Sequence, residues 1–436
     1  MRAGRKGEPM LRSARLVLIG LLLFAFLPLM AEEMTRQKAE AQARKDVAGG
    51  KILSVEREVE NGKDVWSLDV RSADGKRVIE VQYLVATGAL VSREEETPRK
   101  QKQEAAADKR AAGSAKSPAY AVTGRFALGG EGGWDYLMCD AASRRLFVSR
   151  STHVMVVDSD NGKILGDIPG TEGVHGIALA PEFNRGFTSN GRSSSVSIFD
   201  LSSLKVLSQV KTTGDNPDAI LYEPFTKRVF TFNGRGKNAT AIEAESGAVA
   251  GTISLGGKPE FATSDGSGRV YVNIEDKNEV LVLDPKKLTV EARWPLAPCE
   301  EPTGMALDET KKRLFVGCGN RLLMIVNATD GHVVGQLSIG DGNDAVAFDA
   351  GTGLVFASNG DGTLTLVKQA APDVYEIVQT VQTQKSARTL AIDSKTHRAF
   401  LPAAKFGPAP SPTPENARPR PSLVPGSFEI LVVGAP

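Results

Sequence analysis

Asp135, His175, Asp218, Glu260, Thr303, Asp344 and Arg388 hold the same place in successive stretches of about 42 residues, each just ahead of an apolar run. If those stretches close into a ring, four carboxylates, an imidazole, a hydroxyl and a guanidinium converge on one rim. Side chains of these types can hold a cation or a small polar ligand, with Arg388 available for an anionic group. Crowded carboxylates raise one another's pKa unless a cation or Arg388 sits among them. The same residues can instead pair with each other or cap backbone amides between neighbouring units. The leading expectation is a non-enzymatic platform that binds a small ligand or a protein partner on this face and needs no cofactor. The alternative is a metal-assisted hydrolase or lyase. There Asp218, Glu260 and Asp344 hold a divalent cation that polarises a carbonyl or activates water, and His175 serves as the acid/base group.

Other reactive side chains are few. Cys299 precedes one apolar run and Cys318 ends the strand that follows it, so both map to one face of one unit and can form a disulfide. Cys139 alternates with Leu137 and reads as a small buried hydrophobe. His153, His332 and His397 fall in turns or at strand starts and are expected in solvent. The chain contains no C-x-x-C-H, no zinc-ligand spacing, no P-loop and no G-x-S-x-G. The glycine-rich GEGGWD (130–135) follows an outer strand and opens no helix, so it is not a nucleotide loop.

These residues must be positioned by a repeat. RLFVSR, RGFTSN, RVFTFN, RVYVNI, RLFVGC, LVFASN and RAFLPA align on Phe147, Phe187, Phe230, Tyr271, Phe315, Phe356 and Phe400, at spacings of 40, 43, 41, 44, 41 and 44 residues. Each unit orders an inner strand (GIALA, GMALD), the aromatic strand, an alternating third strand (SVSIFD, EVLVLD) and a fourth (VAGTISLGG, VVGQLSIGD). Four strands at this period are the blades of a β-propeller. The last unit stops at its third strand, FEILVV (428–433), while VTGRFALGG (122–130) matches the fourth strand of the other units. The predicted fold is therefore mainly β: a seven-bladed propeller over 118–436, closed by an N-terminal strand in the last blade. A proline-rich stretch at 405–426 replaces the short turn between strands two and three of that blade. It is expected to be stiff and to overhang the funnel or offer a docking strand.

Ahead of the propeller, basic residues and an apolar run from Leu16 to Met30 read as a signal peptide over 1–31. Residues 32–95 read as a small α+β domain, a helix followed by three strands at Ile52–Glu60, Val65–Val70 and Val78–Leu84, joined at Asn61-Gly62 and Asp74-Gly75. A charged linker without apolar periodicity spans 96–117. With 53 basic and 52 acidic residues the chain offers nucleic acid no electrostatic footprint. After signal cleavage no membrane span is expected.

Two resemblances accompany this reading. The Ala-rich helix, GGKILSVEREVENGKDVWSLDVRSADGKRVIEV and ATGALVSREE make residues 32–95 similar to a PepSY domain. That resemblance implies an association with secreted proteases or envelope proteins, and with it a third expectation, regulation of a secreted protease. RVYVNIEDKNEVLVLD, EEPTGMALD and NDAVAFDAGTGLVFASNGDGTLTLV resemble the YVTN repeat of YncE-like propellers. Membership there implies an extracytoplasmic binding or surface protein, periplasmic or secreted, without a shared substrate.

Overall fold

The computed structural model describes residues 34–60, 63–96, 119–410 and 421–436. The expected signal peptide, nearly all of the expected linker and 411–420 of the proline-rich stretch lie outside the described residues. The chain divides into two compact units, Met1–Lys116 and Ser117–Pro436.

In the first unit, Thr35 caps the helix Arg36–Asp46, its hydroxyl accepting from Lys38 N at 3.3 Å. Ala39, Ala43 and Val47 on one side of the helix and its end meet Leu68, Val70, Val81 and Tyr83 of the sheet. Tyr83 donates to Asp46 at 2.6 Å, and Trp66 Nε1 donates to Met34 O at 2.7 Å. The sheet has four antiparallel strands, not three: Lys51–Glu60, Lys63–Arg71, Val78–Leu84 and Leu90–Glu96. The fourth escapes a pattern reading because LVSREEE has no alternating apolar face. Its Leu90 and Val91 are exposed, and its pairing with Val78–Leu84 is what makes it a strand.

The second unit is the seven-bladed propeller. Blades 3 to 6 are four-stranded antiparallel sheets that start at Pro217, Pro259, Pro302 and Asn343. Blades 1 and 2 are joined in one six-stranded sheet, because Ile164–Ala180 serves as the outer strand of one and the inner strand of the next. Arg145–Asp158 likewise runs through the second and third strands of blade 1. Blade 7 takes Ala391–Asp393, Arg398–Ala403 and Glu429–Gly434 from the C-terminal end and Ala121–Ala127 from the start. The register Ile430↔Phe126 and Val432↔Gly124 gives that blade its outer strand and closes the ring by joining its two ends. All seven aligned aromatics are at most 1% exposed. Each fills the space between neighbouring sheets, where a large side chain stabilises by about 2 kcal/mol relative to exposure. Asp200, Asp284, Asp308, Asp349 and Asp393 accept from backbone amides two or three residues on, which fixes the turns at the far ends of the strands.

Cys299 and Cys318 form a disulfide, with Cα atoms 5.5 Å apart. Cys139 is half-buried against Phe400 and its neighbours, and burial pushes its thiol up to about 12. The three histidines expected in solvent differ. His332 is exposed beside Asp330, whereas His153 is half-buried in a strand, 3.6 Å from Asp167. His397, in the left-handed region at φ 58°, folds its imidazole onto the buried Asp349 at 2.8 Å. The turn places His397 between two blades, so a carboxylate holds it there. Among the described residues no helix is long and apolar enough to cross a membrane.

Candidate functional site

Each inner strand begins at the rim of the central bore, and its first residues set two layers. The upper layer holds Asp135, His175, Asp218, Glu260, Thr303, Asp344 and Arg388. The lower layer, one residue on, holds Tyr136, Gly176, Ala219, Phe261, Gly304, Ala345 and Thr389. Five of the lower residues are small and two are aromatic. Tyr136 of blade 1 and Phe261 of blade 4 come from opposite sides of the ring, and their ring centroids are 5.4 Å apart. They meet across the bore and give the funnel a floor. A Cβ on Gly304 would sit 2.6 Å from Ala345 Cα, so glycine lets two inner strands approach closely there.

Above this floor runs a chain of ion pairs. Asp344 faces Arg388 at 2.8 Å, Arg388 faces Asp135 at 3.7 Å, Asp135 Oδ2 accepts from His175 Nδ1 at 2.6 Å, and His175 Nδ1 lies 3.6 Å from Asp218. Lys258 Nζ sits 3.2 Å from Glu260 and also pairs with Glu275. That ion pair lacks hydrogen-bonding geometry, so Glu260 Oε2 is buried without a hydrogen-bond partner. Tyr136 Oη is likewise buried and unpartnered, in a residue only 8% exposed.

Small polar residues two places after the aligned aromatic hold the rim. Ser149 Oγ accepts from Asp135 N at 3.0 Å and donates to Tyr136 O at 2.9 Å. Ser189 Oγ accepts from Gly176 N at 2.9 Å and donates to Asp218 O in the next blade. Asn273 and Ser358 likewise reach Thr303 O and Ala387 O, at 2.6 and 2.7 Å. Gly191 gives His175 its room, since a Cβ there would lie 2.7 Å from Nε2.

The electrostatics follow from crowding. Burial, with Asp218 and Glu275 nearby, raises Glu260 to about 8 against the pull of Lys258. Burial raises Asp218 and Asp344 each to about 6, with His175 and Arg388 opposing it respectively. Burial alone would lower His175, but its hydrogen bond to Asp135 and the charge of Asp218 outweigh it and lift the imidazole to about 9. Burial and then the four carboxylates Asp344, Asp135, Glu260 and Asp218 push Tyr136 far above its usual range.

The structure thus brings Asp135, His175, Asp218, Asp344 and Arg388 into one network, with Glu260 beside it on Lys258. Thr303 uses its hydroxyl elsewhere, donating to Asn343 O at 2.9 Å across the joint between blades 5 and 6. Among the described residues, the three groups whose ligand atoms approach closely enough to hold one ion are Asp135, His175 and Asp218, within 4.8 Å of one another. A cavity of about 660 Å³ opens above Asp135 and His175, and Arg192, Asp215, Arg235 and Arg388 stand around it. A second, of about 870 Å³, shares Gly133, Trp134 and Arg388 with the first and continues along Phe406, Pro421 and Leu423. Phe406 and Leu423 pair across the base of the proline-rich stretch and both line this second cavity. Trp134 packs at a tilt against Phe406 and Phe428, with centroids 6.1 and 5.3 Å away. Sequence reasoning passed over Tyr136, Lys258, Trp134, Arg192 and Arg235. The signal for Tyr136 was the column one residue after the polar one, where two aromatics interrupt small residues.

Residues 33–89 match the family model of PepSY, the peptidase propeptide and YPEB domain. No curated protein matches the sequence. Among solved structures the chain is similar to hydrazine synthase of Kuenenia stuttgartiensis, with 16% identity and TM-score 0.56, covering 62% of this chain and 92% of that one. It is also similar to U3-55K, with 11% identity and TM-score 0.57, and to the WD40 repeats of RRP9, with 10% identity and TM-score 0.58. Each of these two matches covers 70% of this chain and 96% of the other. At such identities the likeness is one of fold, the β-propeller.

Proposed function

We propose that the propeller is an exported receptor for a small ligand of mixed charge, whose positive centre sits on the carboxylate floor and whose anionic group faces the arginines of the rim. The observation that carries this reading is the closed cup. Tyr136 and Phe261 meet beneath four carboxylates, while Arg192, Arg235 and Arg388 stand around the cavity above. A cation entering such a cup relieves like-charge repulsion among desolvated carboxylates. Arginine at the mouth suits a carboxylate, which it can grip with two parallel hydrogen bonds. Trp134, Phe406 and Leu423 alongside offer an apolar wall for the rest of the ligand, the usual division of labour in a small-molecule site. Export is supported by the Cys299–Cys318 disulfide, a bond that persists in oxidising compartments.

The chemistry describes an amino acid or short peptide with an apolar side chain. Calorimetric titration of the full chain with L-leucine, L-phenylalanine and the dipeptide Gly-Leu, all in EDTA, tests the reading. Saturable binding that weakens at least tenfold in Arg388→Gln is the expected result. Absence of binding by all three probes overturns it.

A further inference from the structure

One set of upper-layer residues, just above the aromatic floor, is built to hold a cation of its own. We propose that Asp135, His175 and Asp218 bind a divalent transition-metal ion of the zinc and manganese class. The inference rests on reading the cup as a ligand site and names the cation on its floor.

The donor set comes first. One imidazole nitrogen with two carboxylate oxygens suits zinc, manganese or iron, whereas calcium and magnesium favour oxygen alone. Spacing comes second. An ion that holds ligands at about 2.1 Å keeps its donor atoms about 3.0–3.4 Å apart. His175 Nδ1 is 2.6 Å from Asp135 Oδ2 and 3.6 Å from Asp218 Oδ1, and all three donor atoms lie within 4.8 Å of one another, so the two carboxylates need only turn about the imidazole to admit the ion. It takes the place of the hydrogen bond between His175 Nδ1 and Asp135 Oδ2.

Closeness of partnership separates this trio from the other acids. Asp344 has Arg388 at 2.8 Å and Glu260 has Lys258 at 3.2 Å, whereas Arg388 stays 3.7 Å from Asp135. Asp218 pairs with the titratable His175, at 3.6 Å. The ligand set therefore differs from the Asp218, Glu260 and Asp344 expected from sequence alone.

An independent observation points to a missing group. Tyr136 Oη, in a residue 92% buried by its 8% exposure, has no hydrogen-bond partner although Asp135, Asp218, Glu260 and Asp344 are its charged neighbours. A buried hydroxyl left unpaired is destabilising, because it has given up its bonds to water. A water or ligand atom on an ion held by the trio would accept from it. Supports are also present: Asp135 N is tied to Ser149, Asp218 O to Ser189, and Gly191 makes room for the imidazole. With three protein ligands held at the inner-strand ends, further coordination positions remain for water.

The test loads the EDTA-stripped full chain with ZnCl₂ or MnCl₂, removes unbound ion by gel filtration and counts metal per chain by mass spectrometry. One ion per chain is expected for the natural sequence. It should be lost in Asp218→Asn and in His175→Gln, and kept in Asp344→Asn and Glu260→Gln. Far-ultraviolet circular dichroism in EDTA identifies any variant that fails to fold. Co²⁺ loading adds a second readout, visible absorption that disappears in His175→Gln. The proposal is overturned by no retained ion, by retention indifferent to both ligand substitutions, or by loss in Asp344→Asn and Glu260→Gln instead. Dipeptide binding in EDTA without any retained ion sinks this inference and leaves the receptor reading standing. Ion retention without dipeptide binding does the reverse.

Discussion

The side chains of the cup are held at a cost that a change of pH should reveal. Glu260 moves from an ordinary value of 4.5 to about 8 through burial and the neighbouring acids. A group with a raised folded-state pKa contributes stability that is complete below its unfolded value and is lost as pH rises through the folded one. The loss for Glu260 therefore falls between about pH 4.5 and 8, and for Asp218 and Asp344 between about 4 and 6. Glu260→Gln should leave the thermal midpoint near pH 4.5 almost unchanged and raise it at pH 8, in EDTA. A midpoint that falls equally in both proteins over this range would show that Glu260 is not held protonated. Gly191 offers a separate check on geometry. Gly191→Ala drives a methyl against His175 Nε2, so the imidazole must leave Asp135 and Asp218. Binding in the cup should drop at least tenfold while the midpoint moves by only a few degrees. Unchanged binding would place His175 outside the site. The upper ring was legible because the aromatic alignment carries its neighbours into register. Lys258, Arg192 and Arg235 were not, because they sit on turns where the repeat imposes no residue type.

At the scale of elements, blade closure and the disulfide were both readable, the first from a missing fourth strand and the second from two cysteines on one face of one blade. The disulfide ties residues 19 apart in sequence, and in the chain-entropy model it contributes about 3 kcal/mol. Cys299→Ser with Cys318→Ser should lower the propeller's unfolding midpoint by several degrees, read by calorimetry. An unchanged midpoint would mean the bond is not formed in solution. Other elements were hidden for identifiable reasons. Leu90–Glu96 becomes a strand by pairing with a neighbour, because its own residues alternate no apolar face. The run from Ile164 to Ala180 carries Gly170 and Gly173 where a break between blades is expected, yet the backbone continues through them. His397 looks like a turn residue in sequence, and only the neighbouring blade supplies the Asp349 that holds it.

Taken whole, the propeller is a rigid ring that converts one residue per repeat into one functional surface. Seven aromatics of the same strand fix the blades, Ser189, Asn273 and Ser358 tie inner strands to their neighbours, and the rim is the product of both. The bore is closed, so the rim is a cup with a floor, and the proline-rich insertion raises an apolar wall at one side of it. Fold could be read from periodicity because every blade repeats it. The cup's selectivity could not, since it depends on Tyr136 and Phe261 reaching across from opposite blades. The most direct test of the account is calorimetric titration of the full chain with Gly-Leu in EDTA, beside the Asp218→Asn and Arg388→Gln variants. The account predicts saturable binding of one dipeptide per chain, weakened at least tenfold by either substitution. Binding that both variants retain in full, or no binding at all, would contradict it.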